Sequence, residues 1–81
     1  MEKNRSVGAY VLMRVMPGQE KSVYDRLEKL KEVVSLNVLF GEWDLIIGLS
    51  LENVRELETF VCDKIRTIKE VGLTSTMIVA R

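Results

Sequence analysis

Hydrophobic and polar positions along this chain alternate at two periods, and the changes of period divide it into six elements. Residues 9–16 are rich in strand formers (Tyr10, Val11, Leu12, Met13, Val15, Met16) and stop at Pro17-Gly18, a strong breaker pair. From residue 19 to 30 the period becomes helical. Val23, Leu27 and Leu30 recur at i, i+4 and i+7, with Glu20, Lys21, Asp25, Glu28 and Lys29 on the other face. Asp25 and Lys29 are spaced for a supporting i,i+4 pair. Residues 33–40 alternate again, with Val34, Leu36, Val38 and Phe40 on one side and Ser35, Asn37 and Leu39 on the other. Gly41-Glu42-Trp43 turns the chain into a third strand over 44–50, and the short connection predicts a hairpin. Ser50 is a suitable N-cap for a helix whose apolar stripe is Val54, Leu57, Val61, Ile65 and Ile68, with Phe60 beside it. Gly72 follows, and residues 73–80 form a fourth strand.

The predicted order is β-α-β-β-α-β, an α+β fold. Right-handed crossovers place both helices on one face of an antiparallel sheet with strand order 4-1-3-2. Two helices cover one face only, so strands facing water on the other side should alternate cleanly. They do not: Tyr10, Leu12 and Met16 oppose Val11, Met13 and Val15, and Ile46 opposes Leu45 and Ile47. A second copy packed sheet to sheet in two-fold symmetry would cover that surface. Scattered apolar exposure, common in small domains, is the simpler alternative.

Length and composition narrow the chemistry. At 81 residues the chain holds one domain and one core, here taken as 1–81. Twelve basic residues balance twelve acidic ones, with no basic excess to release counterions from nucleic acid. The third strand carries no aromatic or basic residue, which disfavours RNA stacking on the sheet. Mixed-sign runs such as Glu28-Lys29-Lys31-Glu32 fit solvated helix backs. Histidine is absent, and the single cysteine, Cys62, has no partner at metal-ligand spacing, so no metal, cofactor or disulfide is expected. Cys62 reads as a small, partly buried apolar residue. Arg14 interrupts the N-terminal apolar run and no cleavage site follows Met1-Glu2-Lys3-Asn4-Arg5. Neither a leader nor a membrane span is expected, and the cytoplasm is the default.

One segment stands out, Phe40-Gly41-Glu42-Trp43-Asp44. Glycine in a turn admits positive φ and lets backbone N–H groups face a ligand. Asp44 could then accept from an ammonium group, with Trp43 as a wall. Spacing alone favours the plainer reading, in which Gly41 serves only the turn, Asp44 ties down its backbone, and Trp43 packs against a second copy.

With its surroundings, this segment resembles the ligand-sensing domain of the Lrp/AsnC transcription regulators, also called the RAM domain. The resemblance runs through Ala9-Tyr10-Val11-Leu12, Pro17-Gly18, Gly41-Glu42-Trp43-Asp44, Phe60-Val61 and the stretch from Val71 to Val79. It implies a ferredoxin-like βαββαβ sandwich that dimerises through its sheets and builds octameric or decameric rings. It also implies an amino-acid effector bound in clefts between dimers, and co-assembly with DNA-binding relatives. No helix-turn-helix segment is left unassigned, which matches the stand-alone form of the family, without direct nucleic-acid or membrane contact. Carried over residue by residue, Gly41, Glu42, Trp43 and Asp44 match the binding turn, and Thr74, Ser75 and Thr76 match the strand that closes the pocket. By this resemblance the N–H groups near Gly41 hold the ligand carboxylate, Asp44 holds its ammonium, and the hydroxyls contact polar ligand atoms. Trp43 stands where the family often has tyrosine, and Ser75 where a longer polar side chain occurs. A binding module rather than an enzyme is the expectation. The alternatives are a purely structural assembly unit or a small dimeric barrel enzyme such as a monooxygenase.

Overall fold

The computed structural model describes residues 7–80, so the reading of the first five residues as no leader lies outside it. The elements are β1 (Val7–Val15), α1 (Glu20–Glu28), β2 (Val33–Val38), β3 (Leu45–Leu51), α2 (Val54–Phe60) and β4 (Val71–Ile78). They form one antiparallel sheet in the order β2-β3-β1-β4, the expected ferredoxin-like arrangement. No helix among the described residues is long and apolar enough to cross a membrane.

Strand periodicity sorts the two faces. Ala9, Val11, Met13 and Val15 of β1 and Leu45, Ile47 and Leu49 of β3 are buried under the helices. Val23 and Leu27 of α1 meet them, as do Leu57 and Phe60 of α2, with Val61, Ile65 and Ile68 beyond it. The chain enters α1 through Met16-Pro17-Gly18-Gln19, closed by the Gln19 N–H donating to Met16 O at 2.9 Å. Gly18 takes φ 84° there, in a turn that wants proline then glycine.

Several local expectations are corrected. Strand β2 ends at Val38, and Phe40 lies beyond it with no cover at all, 105% exposed. Register slips between Val33 and Ser35, so Val33 and Leu36 partner the buried Leu49 and Ile47 while Val34 is pushed out, 66% exposed. An extra residue in one strand shifts the alternation that strict period two predicts. The second helix is not uniform. After α2 it widens into a π-helical turn over Val61–Ile65, marked by Arg66 N–H donating to Val61 O at 2.9 Å. That wider turn keeps Phe60, Val61 and Ile65 all buried, whereas Val54 at the start is 44% exposed. Ser50 is not the cap; it lies inside β3. Asn53 is extended and its side chain accepts from Glu56 N–H at 2.8 Å. Asp25 pairs with Lys21, at 2.9 Å, one turn before the expected Lys29. Strand β4 starts at Val71, two residues early, because Val71 still pairs with Val15 across a bulge that takes up Gly72 and Leu73 opposite Arg14.

The open face carries two cross-strand rows, Ser35-Gly48-Tyr10-Met77 and Asn37-Ile46-Leu12-Ser75. Tyr10 and Met77 are each 45% exposed, and Leu12 and Ile46 are half-buried by their neighbours. Gly48 lies beneath the first row: a Cβ there would collide with the Ser35 hydroxyl and touch the Tyr10 ring at 3.4 Å.

Removing the true cap separates the two assignments. Asn53→Ala should lower stability by about 1 kcal/mol. Ser50→Ala, on a half-buried strand position, should leave the α2 terminus intact. Urea unfolding followed by circular dichroism reads both, and equal losses would count against Asn53 as the cap.

Candidate functional site

The hairpin turn after β2 is fixed by a carboxylate that extends the sheet. Strand β3 begins at Leu45, paired with Met13, so β1 runs on past its last ladder partner. Asp44 fills that gap. Its N–H donates to Met13 O at 2.9 Å, and its Oδ2 accepts from Val15 N–H at 2.7 Å. The side chain takes the place of the next backbone carbonyl and satisfies a part-buried donor. On the other side, Leu39 N–H donates to Asp44 O at 2.9 Å and closes the turn. Gly41 adopts φ 137° with nothing within 4 Å of a built Cβ, so glycine is needed there for the backbone and not for space.

Arg14, which sequence reasoning passed over, holds the outer side of the same turn. Its Nε donates to Glu42 O at 2.9 Å, and its guanidinium lies 5.8 Å from the centre of the Trp43 ring. The Arg14–Glu42 ion pair is longer, 3.8 Å, between side chains 50% and 75% exposed, and contributes little beyond the hydrogen bond. The signal was available: Arg14 is the one charge in an otherwise apolar strand run.

Gly41, Glu42, Trp43 and Asp44 are therefore one tethered unit. Thr74, Ser75 and Thr76 lie in β4, on the far side of β1. Leu45, Met13 and Thr74 stand in one row across the sheet, which puts turn and hydroxyls about 10 Å apart at two strand spacings. The hydroxyls also divide between faces. Ser75 partners Leu12 on the open face, while Thr74 and Thr76 partner the buried Met13 and Val11. Thr76 lines a groove of about 310 Å³ with Leu57, Glu58, Val61, Cys62, Arg66 and Ile78, none of them from the turn. Cys62 is exposed there, where the sequence suggested partial burial. A second groove, about 450 Å³, lies at the opposite end of β3 among Lys31, Glu32, Ser50, Leu51, Glu52 and Glu56. It is open and mixed in sign, without the converging polar groups of a small-molecule site. Within one chain the two halves of the expected site face different surroundings. Among the described residues no three or more His, Cys, Asp or Glu side chains converge on a metal position.

An α+β sandwich with one bare sheet face and a pinned turn at its end defines the ferredoxin-like class of the chain. The Lrp/AsnC ligand-binding-domain model matches residues 8–81, and the chain belongs to that family, a family of transcription regulators. An HTH-type transcriptional regulator of Pyrococcus abyssi is 32% identical over 78 residues, 93% of this chain and 52% of its own length. The chain thus spans about half the length of the curated relatives it matches. A hypothetical protein of Pyrococcus horikoshii has a solved structure that superposes with TM-score 0.88 at 36% identity, covering 93% of this chain and 90% of its own. A transcriptional regulator of Neisseria meningitidis, solved as a complex with L-Met, shares the fold at TM-score 0.82 and 18% identity, over 93% of this chain and 50% of its own.

The tether predicts a graded response at Asp44. Asp44→Ala strands the Val15 N–H and should lower stability by about 1–3 kcal/mol. Asp44→Asn keeps an acceptor and should recover most of it. Urea unfolding of the two variants checks the order, and equal losses would contradict the ladder role.

Proposed function

We propose that this chain is a small-molecule effector-binding module that works as an assembly, with an α-amino acid as its effector. The observation that supports it best is the Gly41–Asp44 turn, held rigid by Arg14 on one side and by Val15 N–H on the other. A zwitterion needs donors for its carboxylate and an acceptor for its ammonium. The open backbone at Gly41 offers the first, and Asp44 offers the second through Oδ1, since Oδ2 is committed to Val15. Preorganised groups of this kind bind with less ordering cost than a mobile loop.

The separation of the turn from Thr74, Ser75 and Thr76 gives assembly its place in this reading. A cleft between copies would bring one chain's turn to another chain's last strand. Pairing through the open sheet face makes the first dimer, and four or five such dimers make rings of eight or ten. Such an assembly would join DNA-binding relatives through the same surfaces and would bind effector without catalysing its conversion.

The test is a thermal-shift panel of the standard amino acids at millimolar concentration, with methionine included because the Neisseria meningitidis regulator was solved with it. A ligand at 100 times its Kd should stabilise the fold by about 2.7 kcal/mol. Asp44→Asn, which keeps the tether but removes the charge, should then weaken binding roughly tenfold or more, the worth of one charge-assisted hydrogen bond. A flat panel on an intact oligomer would leave assembly as the whole function. Chemical turnover of the bound amino acid would move the chain to the enzymes.

A further inference from the structure

The Gly41–Asp44 turn carries two carboxylates, and among the described residues the cation that meets it is Arg14. Asp44 commits Oδ2 to the Val15 N–H, a neutral donor, and the Glu42 side chain is 75% exposed. Neither negative charge is closely paired. Arg14 reaches the turn from β1. Met13 and Val15 on either side of it are buried under the helices, so Arg14 stands on the open face with Tyr10 and Leu12.

The guanidinium is oriented but not used up. Its Nε donates to Glu42 O at 2.9 Å, and the group lies 5.8 Å from the centre of the Trp43 ring. These contacts set its plane. Among the described residues neither Nη1 nor Nη2 donates a hydrogen bond, and Glu42 Oε2 stands 3.8 Å from Nη2, too far for one. A planar fork whose orientation is set and whose two outer nitrogens are free is the form that meets a carboxylate through two parallel hydrogen bonds.

Charge decides which ligand group it takes. A carboxylate held by the N–H groups near Gly41 alone would face Glu42 and Asp44, both repulsive. Neutral N–H donors also serve a carboxamide oxygen, and in that field they would favour the uncharged group. Arg14 reverses the sign. We infer that Nη1 and Nη2 of Arg14 hold the effector's carboxylate beside the Gly41 turn, and that this makes a free carboxylate a condition of binding. Amino acids are accepted, while their amides, and the amines left when the carboxylate is lost, are refused. The inference rests on the effector-binding reading above and names the side chain that selects within it. Asp44 keeps the ammonium, so each charge of the zwitterion meets an opposite one at the same turn.

Calorimetric titration of the standard L-amino acids and of their α-carboxamides, on the wild type and on Arg14→Gln, tests it. On the wild type the amino acid that binds should do so roughly tenfold or more tightly than its amide, the worth of one charged hydrogen-bonded pair. In Arg14→Gln the two should bind equally or in inverted order, since the amide keeps its ammonium and the two carboxylates are then unopposed. Arg14→Lys keeps the charge and loses the fork, and should retain part of the preference. A residue that only braced the turn would weaken acid and amide alike. An unchanged preference in Arg14→Gln would therefore overturn the inference, as would a wild type that binds amides as tightly as acids. Failure of every amino acid to bind the wild type would overturn the effector reading, and this inference with it.

Discussion

Two helices cannot cover both faces of a four-stranded sheet, and most of what this chain does follows from that shortage. On the covered face Val11, Met13, Leu45 and Ile47 have no exposed surface, and α1, α2 and the π-helical turn close over them. On the bare face Tyr10, Leu12, Ile46 and Met77 form an apolar band bordered by Ser35, Asn37 and Ser75. Tyr10, Leu12 and Ile46 of the band lie on the two central strands, where backbone groups are already paired, and Met77 lies on the β4 edge, so a partner over the band would meet mainly side chains. Covering it removes apolar area from water at about 25 cal/mol per Å², a large addition for a fold of 81 residues with a thin margin of its own.

The second controlling interaction is the Asp44 carboxylate. By accepting from Val15 N–H it lengthens the β1–β3 ladder by one step, and the turn inherits the rigidity of the central strands. Under the proposed function, stability and recognition would share this one side chain. Arg14 repeats the pattern from the other side, where one guanidinium meets both the Glu42 carbonyl and the Trp43 ring. A turn held at both ends presents its backbone at Gly41, and its tip at Phe40, in a single geometry.

The fold was legible in the sequence because period two and period 3.6 alternate cleanly and Pro17-Gly18 and Gly41 punctuate them. Sheet order followed from connection lengths and handedness. What stayed hidden depends on single residues inserted into a regular pattern. Val34 left its predicted face because one residue of β2 is unpaired, and β4 begins at Val71 because a bulge takes up Gly72 and Leu73. The π-helical turn is likewise one extra residue in a ring that local propensity does not announce. Ser50 and Asn53 are both good caps, and only the end of β3 decides between them. The Gly41–Asp44 turn was visible as a motif, but Arg14 was not, since its role depends on lying beside Trp43 and Glu42 in the folded sheet. The three hydroxyls of residues 74–76 were grouped by the family resemblance, whereas strand geometry sends Ser75 to one face and its two neighbours to the other.

Sedimentation equilibrium of the wild type beside Leu12→Asp measures directly whether a second copy completes this fold across the bare face. Leu12 sits mid-strand in the open-face band, half-buried by Ile46 and Ser75. A wild-type mass of a dimer or a multiple of it, falling to a folded monomer in Leu12→Asp, is the predicted result. A wild-type monomer at micromolar concentration, or a Leu12→Asp variant that assembles as tightly as the wild type, would contradict it.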